Sequence, residues 1–143
     1  MSKFSMFMKA NKAEKPNAKY AATKSLCDAD GKPLEWEVRH ITSKENMAIQ
    51  DAATVEVPVA GKSNQSRIKL KPALYNQKLV AASVVFPDLY DKELQDSYGV
   101  STPEELLYAL VDDPGEFNEL TRFVMSFQGF DSSFEDKVDE AKN

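Results

Sequence analysis

Beyond residue 71 the chain carries helix-start signals so closely spaced that no long helix fits between them. Pro72 suits the first turn of a helix, where a missing N–H costs nothing. Asp91 can cap a short helix through Ser97, with Gly99 as its stop. Thr102-Pro103-Glu104-Glu105 joins an N-cap, a proline at the first helical position and a capping-box glutamate. Asp112 or Asp113 with Pro114 begins another helix that Gly129 ends, and Asp131 can cap a last one. The first of these should run from Pro72 to about Val85, where Pro87 stops it, with Leu74, Leu79, Val80 and Val84 inward. Phe117, Leu120, Val124 and Phe127 form a stripe at helical spacing, as do Phe134, Val138 and Ala141. A cluster of short helices sharing one core is the only compact arrangement this spacing allows.

The first half reads differently. Asp28-Ala29-Asp30-Gly31-Lys32-Pro33 is rich in turn formers, and Leu34, Trp36 and Val38 alternate with Glu35, Glu37 and Arg39. Residues 20–41 are therefore expected to form a β-hairpin. Thr42-Ser43-Lys44-Glu45 is a capping box that opens a helix to about Ala53. Thr54–Val59 and Arg67–Lys71 return to extended chain and suggest a second hairpin, with Pro58 at an edge or an end. Ahead of all this, Phe4, Phe7 and Met8 fall at i, i+3, i+4 in residues 2–9, which predicts a short amphipathic helix. Ala10–Lys19 has no large apolar residue and contains Pro16, so it reads as a flexible linker. The organisation expected is residues 1–19 as helix and linker, then one α+β domain over 20–143. Hairpins would occupy 20–71 and helices 72–143, the former packed against the latter.

Charge narrows the partners. The net charge of −5 divides into 13 Lys and Arg against 8 Asp and Glu up to residue 72, and 5 against 15 after it. An acidic half disfavours nucleic acid, whose phosphates need basic side chains. No apolar run is long enough to span a membrane, since Leu79–Phe86 is broken by Ser83, and the N-terminus lacks a secretion signal's apolar core. With a single cysteine, Cys27, a cytoplasmic location is expected.

Catalytic and cofactor motifs fail on inspection. Gly61-Lys62-Ser63 resembles the end of a phosphate-binding loop, but Glu56 stands where the first glycine belongs and Pro58 removes an amide from the cradle. Asp28-Ala29-Asp30-Gly31 begins like a calcium loop, yet its glycine comes at the fourth position and Arg39 occupies the twelfth. His40 and Cys27 lie at opposite ends of the expected hairpin, so they form neither a nucleophile pair nor a zinc site. A strand histidine bonded to a neighbour and a small buried thiol are the expected roles. Neither an enzyme nor a cofactor or metal site is expected.

These residues carry a family resemblance. The stretch from Asp30 to Val38 (DGKPLEWEV) resembles the N-terminal hairpin of the XkdN-like phage tail assembly chaperones. Similar matches run through Leu79–Leu89 (LVAASVVFPDL), Glu93–Val100 (ELQDSYGV), Pro114–Phe117, Gly129–Asp131 and Glu140–Asn143. The resemblance implies a non-enzymatic, cytoplasmic helper in phage or prophage tail assembly. Such a helper binds the tape measure protein, recruits tail tube subunits and is absent from the finished virion. It also implies a short and an extended form, and Ala141-Lys142-Asn143 can be encoded by a slippery A-AAA-AAY heptamer. The alternatives are a structural tail component retained in the virion or an acidic inhibitor of a host protein. The apolar stripes on the acidic helices disfavour the inhibitor. Partner binding is expected at Phe4, Phe7 and Met8, and at the face around Leu106, Leu107 and Leu110.

Overall fold

The computed structural model describes residues 2–130. Strand β1 (Ala18–Tyr20) pairs antiparallel with β2 (Trp36–Val38), Tyr20 opposite Trp36 and Ala18 opposite Val38. The turn between them is held by Asp28, whose carboxylate accepts from the Asp30 and Lys32 amides at 2.8 and 3.0 Å. Helix α1 (Ser43–Ala52) starts on the expected capping box, with Thr42 and Glu45 each accepting from the other's amide. Strands β3 (Thr54–Pro58) and β4 (Ser66–Leu70) form the second hairpin, and Gly61-Lys62-Ser63 lies in its loop. No helix starts at that loop, so the phosphate-loop resemblance has no structural counterpart.

Helix α2 (Pro72–Ser83) is shorter than its sequence signals because the chain switches to strand β5 (Val84–Phe86). That strand was not expected. It pairs with β2, giving a three-stranded sheet in the order β1-β2-β5, with an irregularity between Glu37 and Val38. Val84 is buried as expected, but from a strand and not from a helix face. Helices α3 (Lys92–Ser97), α4 (Pro103–Leu110) and α5 (Pro114–Phe127) follow, capped by Asp91, Thr102 and Asp113. Gly129 adopts φ 88° and closes α5, with Phe130 N–H returning to Met125 O at 2.8 Å. The expected last helix, with Phe134, Val138 and Ala141, lies outside the described residues.

The fold is α+β, strands mostly first and helices after. Its core joins Trp36 and Val38 of β2 to Leu79 and Val80 of α2, Leu106 and Leu107 of α4, and Leu120 and Val124 of α5. Polar ties fix α5 at both ends. At its start, Glu116 accepts from Thr23 Oγ1 at 2.7 Å and the Lys24 amide at 2.8 Å. Just past its end, Gln128 Nε2 donates to Arg39 O and Ser83 Oγ, while Gln128 Oε1 accepts from the Ile41 amide. Among the described residues, no buried side-chain nitrogen or oxygen lacks a partner.

Three expectations need correction. Residues 2–9 form no α-helix; two 3-10 turns, Ser5–Phe7 and Lys9–Asn11, stand there with no buried residue. A segment this short needs a docking face to become helical, and none is in contact with it. Cys27 is exposed, its thiol donating to Lys24 O at 3.1 Å, because the isolated bridge to Pro33 holds it beside the exposed turn of the hairpin. His40 lies beyond the end of β2 and stacks on Phe127 at 3.9 Å.

Candidate functional site

Among the exposed apolar side chains, which also include Met47, Ile68 and Tyr90, two groupings stand out. The first is a groove where the hairpin, β5 and α3 meet. A cleft of about 180 Å³ is floored by Trp36 and Leu110 and walled by Leu26, Leu34, Phe86, Pro87, Leu94 and Tyr98. Phe86 is 62% exposed and Leu34 44%, although both project from segments otherwise fixed to the core. Past Phe86, Pro87 and Leu94 the groove continues as a shallower trough edged by Asp88, Asp91, Glu93 and Ser97.

Backbone and side-chain bonds fix these walls. Asp91 Oδ1 accepts from Leu94 N at 2.8 Å, starting α3 so that Leu94 faces the cleft. Gln95 Nε2 donates to Leu89 O at 2.8 Å and ties α3 back to the chain that follows β5. Leu89 itself is buried, so the Phe86–Leu89 stretch is anchored at one end and open at the other. Glu35 on the cleft wall and the three acids of the trough give the apolar floor a negative margin; among the described residues no lysine or arginine lines either part.

The second place is the N-terminal arm. Phe4, Phe7 and Met8 are 59%, 84% and 55% exposed, and Met6 is exposed beside them. Three candidate binding residues are thus on the surface. The other three are not: Leu106, Leu107 and Leu110 are buried in α4 against the core, Leu110 reaching only the base of the groove. Their helical spacing marks the face that packs inward, so they offer a partner no surface in the folded domain.

Among the described residues no group of His, Cys, Asp and Glu side chains could hold a metal ion. A separate cleft of about 430 Å³ between α2, α4 and α5 includes Asn76, Tyr108, Phe117 and Thr121, and Asp112 is the one charged side chain lining it. The marked perturbation of an acid lies elsewhere, on a structural pair. Glu45 is held at about 2, below its ordinary 4.5, chiefly by bonds from the Arg39 guanidinium at 2.6 and 3.1 Å and also by the Thr42 amide. Arg39 is raised in turn by the same bonds to Glu45. Burial raises the Tyr75 and Tyr20 hydroxyls, with Glu119 and Glu116 adding to the effect at Tyr20.

Comparison with known proteins bears on what such surfaces serve. The family model of the phage XkdN-like tail assembly chaperone protein matches residues 4–142, nearly the whole chain. The chain belongs to the XkdN-like phage tail assembly chaperones. Two relatives from Bacillus subtilis (strain 168) are each 24% identical over 140 residues. They are the phage-like element PBSX protein XkdN, covering 97% of this chain and 93% of that protein, and the uncharacterised protein YqbN, covering 97% and 92%. The crystal structure of YqbN superimposes with a TM-score of 0.74 at 17% identity, over 92% of this chain and 99% of the other, so the two share a fold. In this member of the tail assembly chaperones, three segments that carry the sequence resemblance converge on the groove. Residues 30–38 bring Leu34 and Trp36, residues 79–89 bring Phe86 and Pro87, and residues 93–100 bring Leu94 and Tyr98. Sequence reasoning missed the groove because its walls come from stretches 52–72 residues apart. The signal available was Phe86-Pro87, an aromatic followed by a helix breaker at the end of an apolar run.

Proposed function

We propose that this chain is a non-enzymatic chaperone that binds the tape measure protein, keeps it soluble in the host cytoplasm and helps recruit tail tube subunits, without remaining in the virion. Family membership supports the class of role. The observation that carries the binding mode is apolar surface left open among the described residues: the arm with Phe4, Phe7 and Met8, and the groove around Phe86. A long helical client offers apolar side chains at i, i+3, i+4 and i+7, and a groove with an apolar floor and polar edges accepts such a stripe. Several shallow contacts spread along a client also suit a helper that must later release it.

Co-expression with the tape measure protein tests the reading. The wild-type chain is expected to raise the soluble fraction of that protein and to copurify with it. Phe4→Ser/Phe7→Ser and Phe86→Ser are each expected to lose copurification while remaining folded. Normal solubilisation by all of these variants overturns the assignment of the surface. Mass spectrometry of purified particles addresses the role itself: many copies per virion would make the protein a structural tail component.

A further inference from the structure

The second hairpin stands apart from the groove. Strands β3 and β4 form a sheet of their own, and among the described residues neither packs extensively on another element. None of their residues lines the groove. A two-stranded sheet in water is marginal, and a third strand is what completes one. The Val59 amide donates to Gln65 O and the Lys71 amide to Ala53 O. Odd-numbered residues of β4 therefore bond to β3, while Ser66, Ile68 and Leu70 turn their amides and carbonyls outward. Every residue of β4 is exposed. The outer edge of β3 is blunted instead, because Pro58 has no N–H and Glu56 sets a carboxylate beside it. Charge sets the hairpin apart as well. In a chain of net charge −5, residues 54–71 carry Lys62, Arg67, Lys69 and Lys71 against the single acid Glu56. The register puts Arg67 and Lys69 on one face, opposite Val57 and Val55, and Ile68 and Leu70 on the other.

We infer that the outer edge of β4 takes up an extended segment of a partner protein in which acidic and apolar side chains alternate. Main-chain bonds run to Ser66, Ile68 and Leu70, apolar side chains of the segment sit beside Ile68 and Leu70, and carboxylates face Arg67 and Lys69. In an antiparallel addition Arg67 and Lys69 fall at the narrow, non-hydrogen-bonded pairs, with about 4.5 Å between Cα atoms, where opposite charges meet most closely. The same two charges turn away a second copy, since β4 laid against β4 brings Arg67 and Lys69 onto like charge. Residues 131–143 lack the required alternation, because Asp136 stands at the same parity as Phe134 and Val138.

The test is hydrogen exchange of the full chain, read amide by amide by NMR, with a peptide of about eight residues alternating valine and glutamate. In the free chain the Ile68 and Leu70 amides are expected to exchange faster than the Lys69 amide, which is bonded to β3. At saturating peptide these two are expected to slow by about tenfold or more, and the effect to weaken at high salt. A peptide alternating valine and lysine is expected not to bind. Arg67→Glu/Lys69→Glu is expected to reverse that choice of peptide. Ile68→Pro removes an outward amide without touching the bonds to β3, and is expected to abolish peptide protection at Leu70 while the Val55 and Val57 amides report an intact hairpin. If the hairpin opens in that variant, the charge-reversed chain decides alone. Ile68 and Leu70 amides already protected in the free chain mean that residues 131–143 or a second copy cover the edge, and overturn the inference. So does a wild type that gives these amides no protection at millimolar peptide, an unreversed choice in the charge-reversed chain, or binding that survives Ile68→Pro. Preference for a single-stranded DNA oligonucleotide over the glutamate peptide overturns it as well.

Discussion

Phe4, Phe7 and Met8 at one end of the chain and Leu106, Leu107 and Leu110 in α4 look alike as sequence, apolar residues at intervals that share a helix face. In the molecule they have opposite fates. Helix α4 begins with Thr102 accepting from Glu105 N at 3.1 Å and Pro103 fixing the first turn, and its apolar face meets α2 and the groove floor. The arm also starts on a hydroxyl, Ser2 Oγ accepting from Phe4 N at 3.1 Å, but it lacks a proline in its first turn, breaks into two three-residue turns, and is followed by a linker without an apolar anchor. Periodicity says which side chains share a face. Whether that face is covered depends on a neighbour that the local sequence does not contain.

Four measurements would break or sharpen this contrast. Leu107→Ala leaves a cavity at a fully buried site. It is expected to cost about 2–5 kcal/mol and lower the melting temperature by roughly 10 °C; a shift of only a degree or two would put Leu107 in the same class as the arm. Gln128→Ala removes the amide that holds Arg39 O, Ser83 Oγ and the Ile41 amide together. Taking that partner from Arg39 O and the Ile41 amide, while Ser83 Oγ keeps its bond to Leu79 O, is expected to cost about 1–3 kcal/mol by urea unfolding. Gln128→Glu should not rescue it, because a carboxylate cannot donate.

The third effect is smaller and depends on pH. Glu45 has a folded-state value of about 2, below its ordinary 4.5, so its contribution is complete above pH 4.5 and is lost as pH falls toward 2. Glu45 and Arg39 are 39% and 35% exposed, and solvent screening limits the pair to under about 1 kcal/mol. Glu45→Gln is expected to flatten that part of the acid unfolding curve, and an unchanged curve would show the pair to be inert. Smallest of all, Phe4→Ser/Phe7→Ser is expected to alter stability by no more than about 0.5 kcal/mol. A larger loss would mean that the arm belongs to the fold after all.

The parts of the fold legible in the sequence are those whose cause is local. Thr42, Asp91, Thr102 and Asp113 cap their helices as their side chains dictate, and the turn around Asp28 closes on its own carboxylate. Strand β5 was illegible because Val84-Val85-Phe86 extends the apolar run of α2, and a run that short suits either structure. Only the unsatisfied edge of β2 draws it into the sheet. The exposure of Cys27 escaped notice because burial of a thiol follows from what packs over it, and nothing covers that end of the hairpin. Of the residues expected to bind a partner, Phe4, Phe7 and Met8 lie on the surface and Leu106, Leu107 and Leu110 do not. The groove required Leu34, Phe86 and Tyr98 to be brought together by tertiary structure, which no spacing rule reports.

Helix α5 has a consequence for the order of events during synthesis. Its Glu116 and the Gln128 just beyond it clasp residues 23, 24, 39 and 41, partners made some 87–93 residues earlier. At about 5–20 residues per second, the ribosome takes roughly 6–20 s to reach residue 114. Throughout that interval the faces that Leu120 and Val124 later cover have no lid. The domain therefore closes from its late end, and a nascent chain stopped before α5 carries the sheet, α2 and α4 with their shared interior still wet. The arrival of α5 separates the apolar faces that become buried, around Leu120 and Val124, from those that stay open.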